Sequence, residues 1–306
     1  MESPVRGEFH LLPAILIIII LILVFAMVAK MISEHITFVT RQYVLTSAKF
    51  DNLKEDIKIV FLSDLHNRDY GENNAHLLEA VREENPDLIL VGGDMVVAKV
   101  QKGYDHALHL MKQLPKICPV YACNGNHEQR MKEKPEVYGD FEPYREEIVR
   151  AGVHLLENEV DYIHLKGINI KISGLELPLS YYIKKNRKNI TRRTIKSYVG
   201  MADERGYQIL LTHYPQPYVM YKSWGADLVM AGHLHGGVVR IPGWRGIISP
   251  QGEFFPKYSG ELTKEGKNTI VVGRGLGNHT PPIRLFNKAE VVVLTLTKST
   301  SLREIL

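Results

Sequence analysis

Five short apolar runs in the sequence are each followed closely by side chains of the kind that bind metal ions. The runs cover residues 57–62, 87–91, 119–123, 207–211 and 228–230. Their length and their content of Ile, Leu and Val predict buried β-strands. The side chains that follow them are Asp64 and His66, Asp94, Asn126 and His127, His213, and His233 and His235. Because sites in open α/β sheets form beyond the carboxyl ends of strands, we expect these side chains to lie together at one edge.

The last of these segments, residues 227–237, holds two histidines separated by one leucine. In an extended chain His233 and His235 would point the same way. A single His-X-His pair is weak support for a metal site, since two surface histidines give the same pattern. Five strand ends that all carry Asp, Asn or His are a stronger signal, because mixed nitrogen and oxygen metal sites use these ligands. The sequence therefore predicts a metal site.

The spacing of apolar residues between the strands predicts the fold class. Helical periodicity is found at 74–84, 104–114, 141–151 and 216–224. Strands that alternate with helices of this length predict a largely parallel sheet. After Gly152 the short runs 153–156, 160–165 and 168–172 predict antiparallel structure, and further strands are expected at 270–272 and 291–296. We expect an α/β fold of two stacked sheets covered by helices, forming one domain over residues 35–306.

The N-terminal part of the chain carries an uncharged apolar stretch at residues 11–29. As a helix it would span roughly 28 Å, about the hydrocarbon thickness of a bilayer. A cleaved signal peptide is the alternative, but the run exceeds the usual apolar length and Met27 stands where a small residue is expected. We predict a tail at 1–10, a membrane anchor at 11–29 and a polar joint at 30–34. The few flanking charges, among them Arg6 and Lys30, do not set the orientation of the anchor.

Charge and cysteine content exclude some functions. The formal net charge of +4 does not by itself imply nucleic acid. Cys118 and Cys123 lie in one predicted strand, roughly 16 Å apart, which is too far for a disulfide. One strongly basic run stands out, with Lys184, Lys185, Arg187, Lys188, Arg192, Arg193 and Lys196. This run, residues 184–196, is either a solvated face or a contact for anionic lipid or an anionic substrate.

At this point the ordered motifs resemble a known family. Asp64-Leu65-His66, Gly93-Asp94, Gly125-Asn126-His127-Glu128, His213 and Gly232-His233-Leu234-His235 are similar to the motifs of calcineurin-like metallophosphoesterases. The resemblance covers residues 57–237 and, with flanking strands, most of 35–306. The anchor and the late segment 273–286 resemble the membrane-anchored bacterial branch. The family fold, a two-sheet metallophosphoesterase sandwich flanked by helices, agrees with the α/β fold predicted above.

The resemblance implies a site with two divalent metal ions, of which Mn, Fe or Zn suit the ligands. Asp64, His66 and His235 would hold one ion, and Asn126, His213 and His233 the other. Asp94 would bridge both. His127 would hold no metal; it would stabilise the transition state or protonate the leaving oxygen. The sequence departs from the family at Val97, where an Asp or Asn is usual, so we expect weaker support of the metal site there.

The function implied is that of a membrane-anchored dinuclear-metal phosphoesterase. It would hydrolyse a phosphoester or pyrophosphate bond of a phosphorylated small molecule or lipid-linked substrate, by in-line attack of a metal-bridging hydroxide. The expected location is a single-pass protein of the bacterial plasma membrane. Two alternatives remain at this stage. A non-catalytic scaffold of the same fold would have lost ligands, and a nuclease would need a basic groove with aromatic stacking, for which the basic run is the candidate.

Overall fold

The computed structural model of the protein describes residues 8–183, 188–203, 205–278 and 283–299. Its strands are β1 (Phe38–Thr46), β2 (Ile57–Leu62), β3 (Leu88–Val91), β4 (Val120–Ala122), β5 (Val153–Leu155), β6 (Val160–Leu165), β7 (Ile168–Leu175), β8 (Tyr207–Thr212), β9 (Leu228–Ala231), β10 (Val239–Arg240), β11 (Gly246–Ile248), β12 (Leu262–Glu265), β13 (Asn268–Val272) and β14 (Ala289–Thr297). Its helices are α1 (Glu8–Ile36), α2 (Ala75–Glu83), α3 (Asp105–Gln113), α4 (Asn126–Glu133), α5 (Pro135–Tyr138), α6 (Glu142–Arg150), α7 (Arg192–Val199) and α8 (Tyr218–Trp224). Each of the five runs that precede the candidate ligands is a strand, as predicted.

Two six-stranded sheets form the domain, in the orders β1-β14-β2-β3-β4-β5 and β12-β13-β9-β8-β7-β6. In the first sheet β2 to β5 are parallel, and in the second β7, β8, β9 and β13 are parallel. The antiparallel pairing predicted after Gly152 is correct for β6 with β7 but wrong for β5. β5 pairs parallel with β4 because α6 serves as its crossover. β5 is therefore the last strand of the parallel series.

The two sheets stack face to face and share one core. Ile59 and Phe61 of β2 pack in the same buried cluster as Ile209 of β8. The alternate residues Val60 and Leu62 face the other way, into a cluster with the helices α2, α3 and α6. A strand that is buried on both faces reads as a continuous apolar run, which is why β2 is recognisable in the sequence. The predicted sandwich with helices on its outer faces is confirmed.

The described part of the basic run belongs to the outer helix layer. Arg192, Arg193 and Lys196 lie on α7, whose residues Ile195 and Val199 are buried against the second sheet. Lys184, Lys185 and Arg187 lie outside the described residues, as do residues 279–282 of the late segment. Arg192, Arg193 and Lys196 therefore occupy the outer surface of an amphipathic helix, and Lys188 is exposed in the segment before it.

Helix α1 is longer than the predicted anchor. Its segment Leu12–Ile36 is apolar enough and long enough to cross a membrane, a property that signal sequences share. The predicted joint at 30–34 is helical, because it contains no Gly or Pro and because Lys30 and Glu34 form an ion pair one turn apart, at 3.2 Å. The helix thus continues to the start of the first strand.

The end of α1 is built into the domain. Glu34 is buried, and its carboxylate accepts a hydrogen bond from the backbone N–H of Asn287 at 2.8 Å. The neighbouring His35 lies 3.1 Å from the side-chain amide of Asn278. Because Glu34 and His35 contact the domain and lie only a few residues before β1 in the sequence, no flexible linker separates the helix from the domain.

Truncation tests this junction. Removal of residues 1–34 should give a soluble, folded hydrolase, because every strand and every candidate ligand is retained. A chain that lacks only residues 1–33 keeps Glu34 and is the matched control. We expect the chain without Glu34 to unfold several degrees lower, since a buried N–H without its acceptor costs about 1–3 kcal/mol. Circular dichroism melts would show equal stability if the contact is unimportant, and insolubility of both chains would mean that α1 belongs to the domain core.

Candidate metal centre

The carboxyl ends of strands from both sheets meet at one edge of the sandwich. Asp64 follows β2, Asp94 follows β3, Asn126 begins α4 after β4, His213 follows β8, and His233 and His235 follow β9. These six side chains are buried, and the seventh candidate ligand, His66, which also follows β2, is half-buried. The structure therefore brings all the predicted ligands together, as the strand-end pattern indicated.

The ligand atoms fall into three overlapping groups. Asp64, His66 and His235 place one atom each within 4.8 Å of one another. Asp94, His213 and His233 do the same. The third group joins Asp94 to His66 and His127. Asp94 thus belongs to two groups and lies between the histidines of β2 and those of β8 and β9.

The donor set fits divalent cations. The Nε2 atoms of His66 and His235 face each other at 3.0 Å, and His213 Nε2 lies 3.2 Å from His233 Nδ1. The buried Oδ1 of Asn126 has no hydrogen-bond partner among the described residues. The imidazole nitrogens and the amide oxygen can all offer lone pairs to a cation, and a buried amide oxygen without a partner is costly. Imidazole, carboxylate and amide oxygen are ligands that transition metals and zinc accept together.

The buried charges shift the pKa values of the site. Burial raises the pKa of the Asp64 carboxyl, His213 opposes this effect and the charge of Asp94 adds to it, and the resulting pKa is about 6. Burial lowers the pKa of His66 to about 3, so this imidazole is neutral and can donate a lone pair. For His213 burial also lowers the pKa, but Asp94, 3.1 Å from its Nε2, outweighs burial and raises the pKa to about 10. A metal that binds His213 must therefore displace a proton.

Five candidate ligands have left-handed backbones. The φ angles are 53° at Asp64, 50° at His66, 52° at Asp94, 75° at His233 and 49° at His235. The prediction that His233 and His235 lie in an extended segment is therefore wrong: β9 ends at Ala231, and the two imidazoles enter different groups. Non-glycine residues in this region are strained and cluster at functional sites. Here the tight turns let ligands close in sequence point in different directions.

Glu128 holds two of the ligand loops and was given no role in the sequence analysis. Its buried carboxylate accepts hydrogen bonds from the backbone N–H groups of Asp94 at 2.9 Å, Met95 at 2.7 Å and Gly125 at 2.9 Å. A Glu at the third position of a helix is a known capping signal, so the sequence contained a local hint. Gly125 itself has no room for a side chain, because a Cβ there would collide with the Asp94 carboxylate.

Arg284 supports the loop after β13, and Asn287 supports the loop of His235 from a distant part of the chain. The fully buried guanidinium of Arg284 donates to the carbonyls of Gly275 at 3.0 Å and Gly277 at 2.6 Å. The side-chain amide of Asn287 donates to the carbonyl of His235 at 2.7 Å. The sequence analysis missed both residues. The backbone N–H of Asn287 also donates a hydrogen bond to Glu34 of α1. Two hydrogen bonds therefore connect the end of the N-terminal helix with the candidate ligand His235.

His127 is oriented differently from its neighbour Asn126. Its Nδ1 accepts the backbone N–H of Ala98 at 2.9 Å, so the neutral ring carries its proton on Nε2. Burial lowers its pKa, which favours this neutral form. His127 and Val97 both line the cavity over the site, where Val97 offers no polar group. His127 thus has a single ring N–H for a substrate, and the effect of Val97 stays a prediction.

Comparisons with known proteins agree with this site. The family model described as calcineurin-like phosphoesterase matches residues 57–237. The uncharacterized metallophosphoesterase YkuE of Bacillus subtilis (strain 168) is 25% identical over 266 residues, which cover 86% of each chain. The phosphodiesterase YaeI of Escherichia coli (strain K12) is 26% identical over 81% of this chain and 85% of its own. The uncharacterized metallophosphoesterase YkoQ of Bacillus subtilis (strain 168) is 30% identical over 62% of this chain and 64% of its own.

The matched region contains every candidate ligand, from Asp64 to His235. Its length is more than half of the chain. The chain therefore belongs to the calcineurin-like phosphoesterase family and is a metal-dependent phosphoester hydrolase.

Proposed function

We propose that the protein is a membrane-anchored phosphoesterase that works with two divalent metal ions. The observation that carries this proposal is the position of Asp94, which shares one group with His66 and His127 and another with His213 and His233. A carboxylate placed between two sets of imidazoles is suited to bridge two cations. Two such ions, when bound, would lower the pKa of a water molecule and hold the attacking and leaving oxygens of a phosphate in line.

The proposed ligand sets follow the clusters. Asp64, His66 and His235 would hold one ion, and His213 and His233 the other, with Asn126 added because its Oδ1 has no partner among the described residues. Asp94 would be shared by both ions. Two divalent ions carry four positive charges and the two carboxylates cancel two, because Asn126 is neutral. The remaining positive charge favours a phosphate anion. Mn, Fe and Zn all suit these ligands, and availability decides among them.

The cavity over the site limits what can bind. It has a volume of about 410 Å³, and its lining includes His127, Lys99, Arg130, Tyr182 and Gln251. Two cationic side chains beside the metal ligands favour a substrate with anionic charge around the scissile phosphate. We propose a phosphomonoester, phosphodiester or pyrophosphate of a small or lipid-linked molecule; the relative named a phosphodiesterase supports the inclusion of diesters.

The alternatives have less support. A non-catalytic scaffold is expected to lose ligands, and all seven are present at the site. A nuclease needs a basic groove with stacking aromatics, but the residues that the structure describes on α7 do not line the cavity. We propose α1 as a single-pass anchor in a bacterial plasma membrane, because its apolar side chains over Leu12–Ala29 are exposed on all faces.

The bridging role of Asp94 can be tested by substitution. We expect Asp94→Ala to lower metal content more than His66→Ala does, because both ions lose a shared ligand and repel each other. The rate should fall by at least about 10²-fold, since several kcal/mol of charge stabilisation depend on the ions. Asp51→Ala, a change at an exposed carboxylate away from the site, is the control for lost charge. Metal analysis that finds two ions per chain in Asp94→Ala contradicts the bridge.

A second test separates His127 from the metal ligands. His127→Ala should keep both ions, since the structure gives its Nδ1 to the Ala98 N–H, but the rate should drop by about 10²–10⁴ if Nε2 protonates the leaving oxygen. A nitrophenyl ester needs no such proton and should lose little; an alkyl phosphate should lose much more. His109→Ala on α3 is the matched control. The measurement is the ratio of the wild-type to the His127→Ala kcat/KM for leaving groups of rising pKa. A ratio that does not change rules out the acid role. Loss of a metal ion from the variant would make His127 a ligand.

A further inference from the structure

An exposed apolar surface lies beside the junction of α1 and the domain. It consists of Ile241, Trp244, Phe254, Phe255 and Phe286, and we call it the aromatic patch. Trp244 is 51% exposed and Phe254 is 70% exposed. Exposed aromatic residues gathered in one place mark interaction surfaces, whereas single exposed apolar residues are ordinary.

Backbone contacts hold the aromatic patch together. The hairpin of β10 and β11 carries Trp244 near its tip, and the Trp244 and Phe255 rings lie 5.7 Å apart. The hairpin is joined to the segment before β14, since the Arg240 N–H donates to the Leu285 carbonyl at 3.0 Å. Ile241, Trp244 and Phe286 line one hollow. The patch is therefore a built surface and not a set of unrelated loops.

Basic side chains surround the same hollow. Arg41, Arg245 and Lys257 line it together with Trp244; the one acidic residue in this lining, Glu261, is paired with Arg240. The Arg245 guanidinium lies over the Trp244 ring at 5.0 Å and has no ion pair among the described residues. Arg41 and Lys257 each pair with a glutamate. An aromatic surface bordered by cations is complementary to the headgroup layer of an anionic bilayer.

The position of α1 relates this surface to the membrane. Phe286 adjoins Asn287, whose N–H binds Glu34. Glu34 lies four residues, about 6 Å, beyond Lys30, the first charged residue after the apolar run. The headgroup layer on each side of a bilayer is also roughly 5–7 Å thick. The segment next to Phe286 is thus held at the level of the headgroups.

We propose that the aromatic patch docks on the anionic membrane surface from which α1 emerges, with Trp244 and its neighbours in the headgroup layer and Arg41, Arg245 and Lys257 against lipid phosphates. This proposal rests on the anchor proposed above. Burial of the exposed rings in the interface removes apolar surface from water, and basic residues near an anionic surface are attracted to it. The domain would then be fixed in one orientation on the bilayer.

The two tryptophans of the chain allow a direct test. Trp244 is half-exposed on the patch, whereas Trp224 is buried behind α7. The full-length protein is placed in nanodiscs that contain phosphatidylglycerol brominated near the headgroup end of the acyl chain, and tryptophan fluorescence is compared with unbrominated discs. We expect strong quenching in the wild type and little in Trp244→Phe, which retains only Trp224.

Matched variants test the charge contribution. Arg245→Gln combined with Lys257→Gln should reduce quenching in anionic discs, while Arg192→Gln combined with Arg193→Gln on α7 should leave it unchanged. If the wild-type protein enters the discs but is quenched no more than Trp244→Phe, the docking of the patch is wrong and the anchor stands. Failure to enter the discs overturns the anchor and the patch together. Trp244 shielding that depends on protein concentration in detergent, without lipid quenching, assigns the surface to a second copy of the chain instead.

Discussion

The burial of two carboxylates side by side is the constraint on which the rest of the site depends. Asp64 and Asp94 are both excluded from water, and each raises the cost of the other's charge. A buried ion without compensation costs several kcal/mol, and within the protein the strongest opposing charge is that of His213. The imidazoles gathered around them are mostly neutral. This arrangement makes sense only for a protein that takes up cations, and it explains why both sheets must end at the same edge.

Two charged side chains keep the strained ligand loops in place from opposite directions. Glu128 accepts backbone N–H groups of the loops after β3 and β4, and Arg284 donates to backbone carbonyls of the loop after β13. Left-handed backbones cost free energy unless their surroundings over-determine them. Glu128 binds only backbone N–H groups of these loops, whereas the guanidinium of Arg284 also lies 3.4 Å from Nδ1 of His235. Loss of Glu128 would therefore move the loops of Asp94 and Asn126 together.

Local patterns in the sequence were sufficient for the strands and for the ligands. Each apolar run and the polar residue after it are visible within a few positions, so the five strand ends and their meeting at one edge could be predicted. The pairing of β5 with β4, the left-handed turns at His233 and His235, and the support from Arg284 and Asn287 could not. These depend on contacts between distant parts of the chain, such as the hydrogen bond between Asn287 and His235, which are 52 positions apart. Periodicity carries no signal for such contacts.

The last strand of the chain lies between the first two. β14 pairs with β1 on one side and with β2 on the other, although it is synthesised after every other element. Until it emerges from the ribosome, β1 and β2 each present an unpaired edge, and such edges favour association with other chains. The contact that brings Asn287 to Glu34 forms at the same late moment. The open edges of β1 and β2 therefore have to be kept from other chains until β14 has been synthesised and has paired with both.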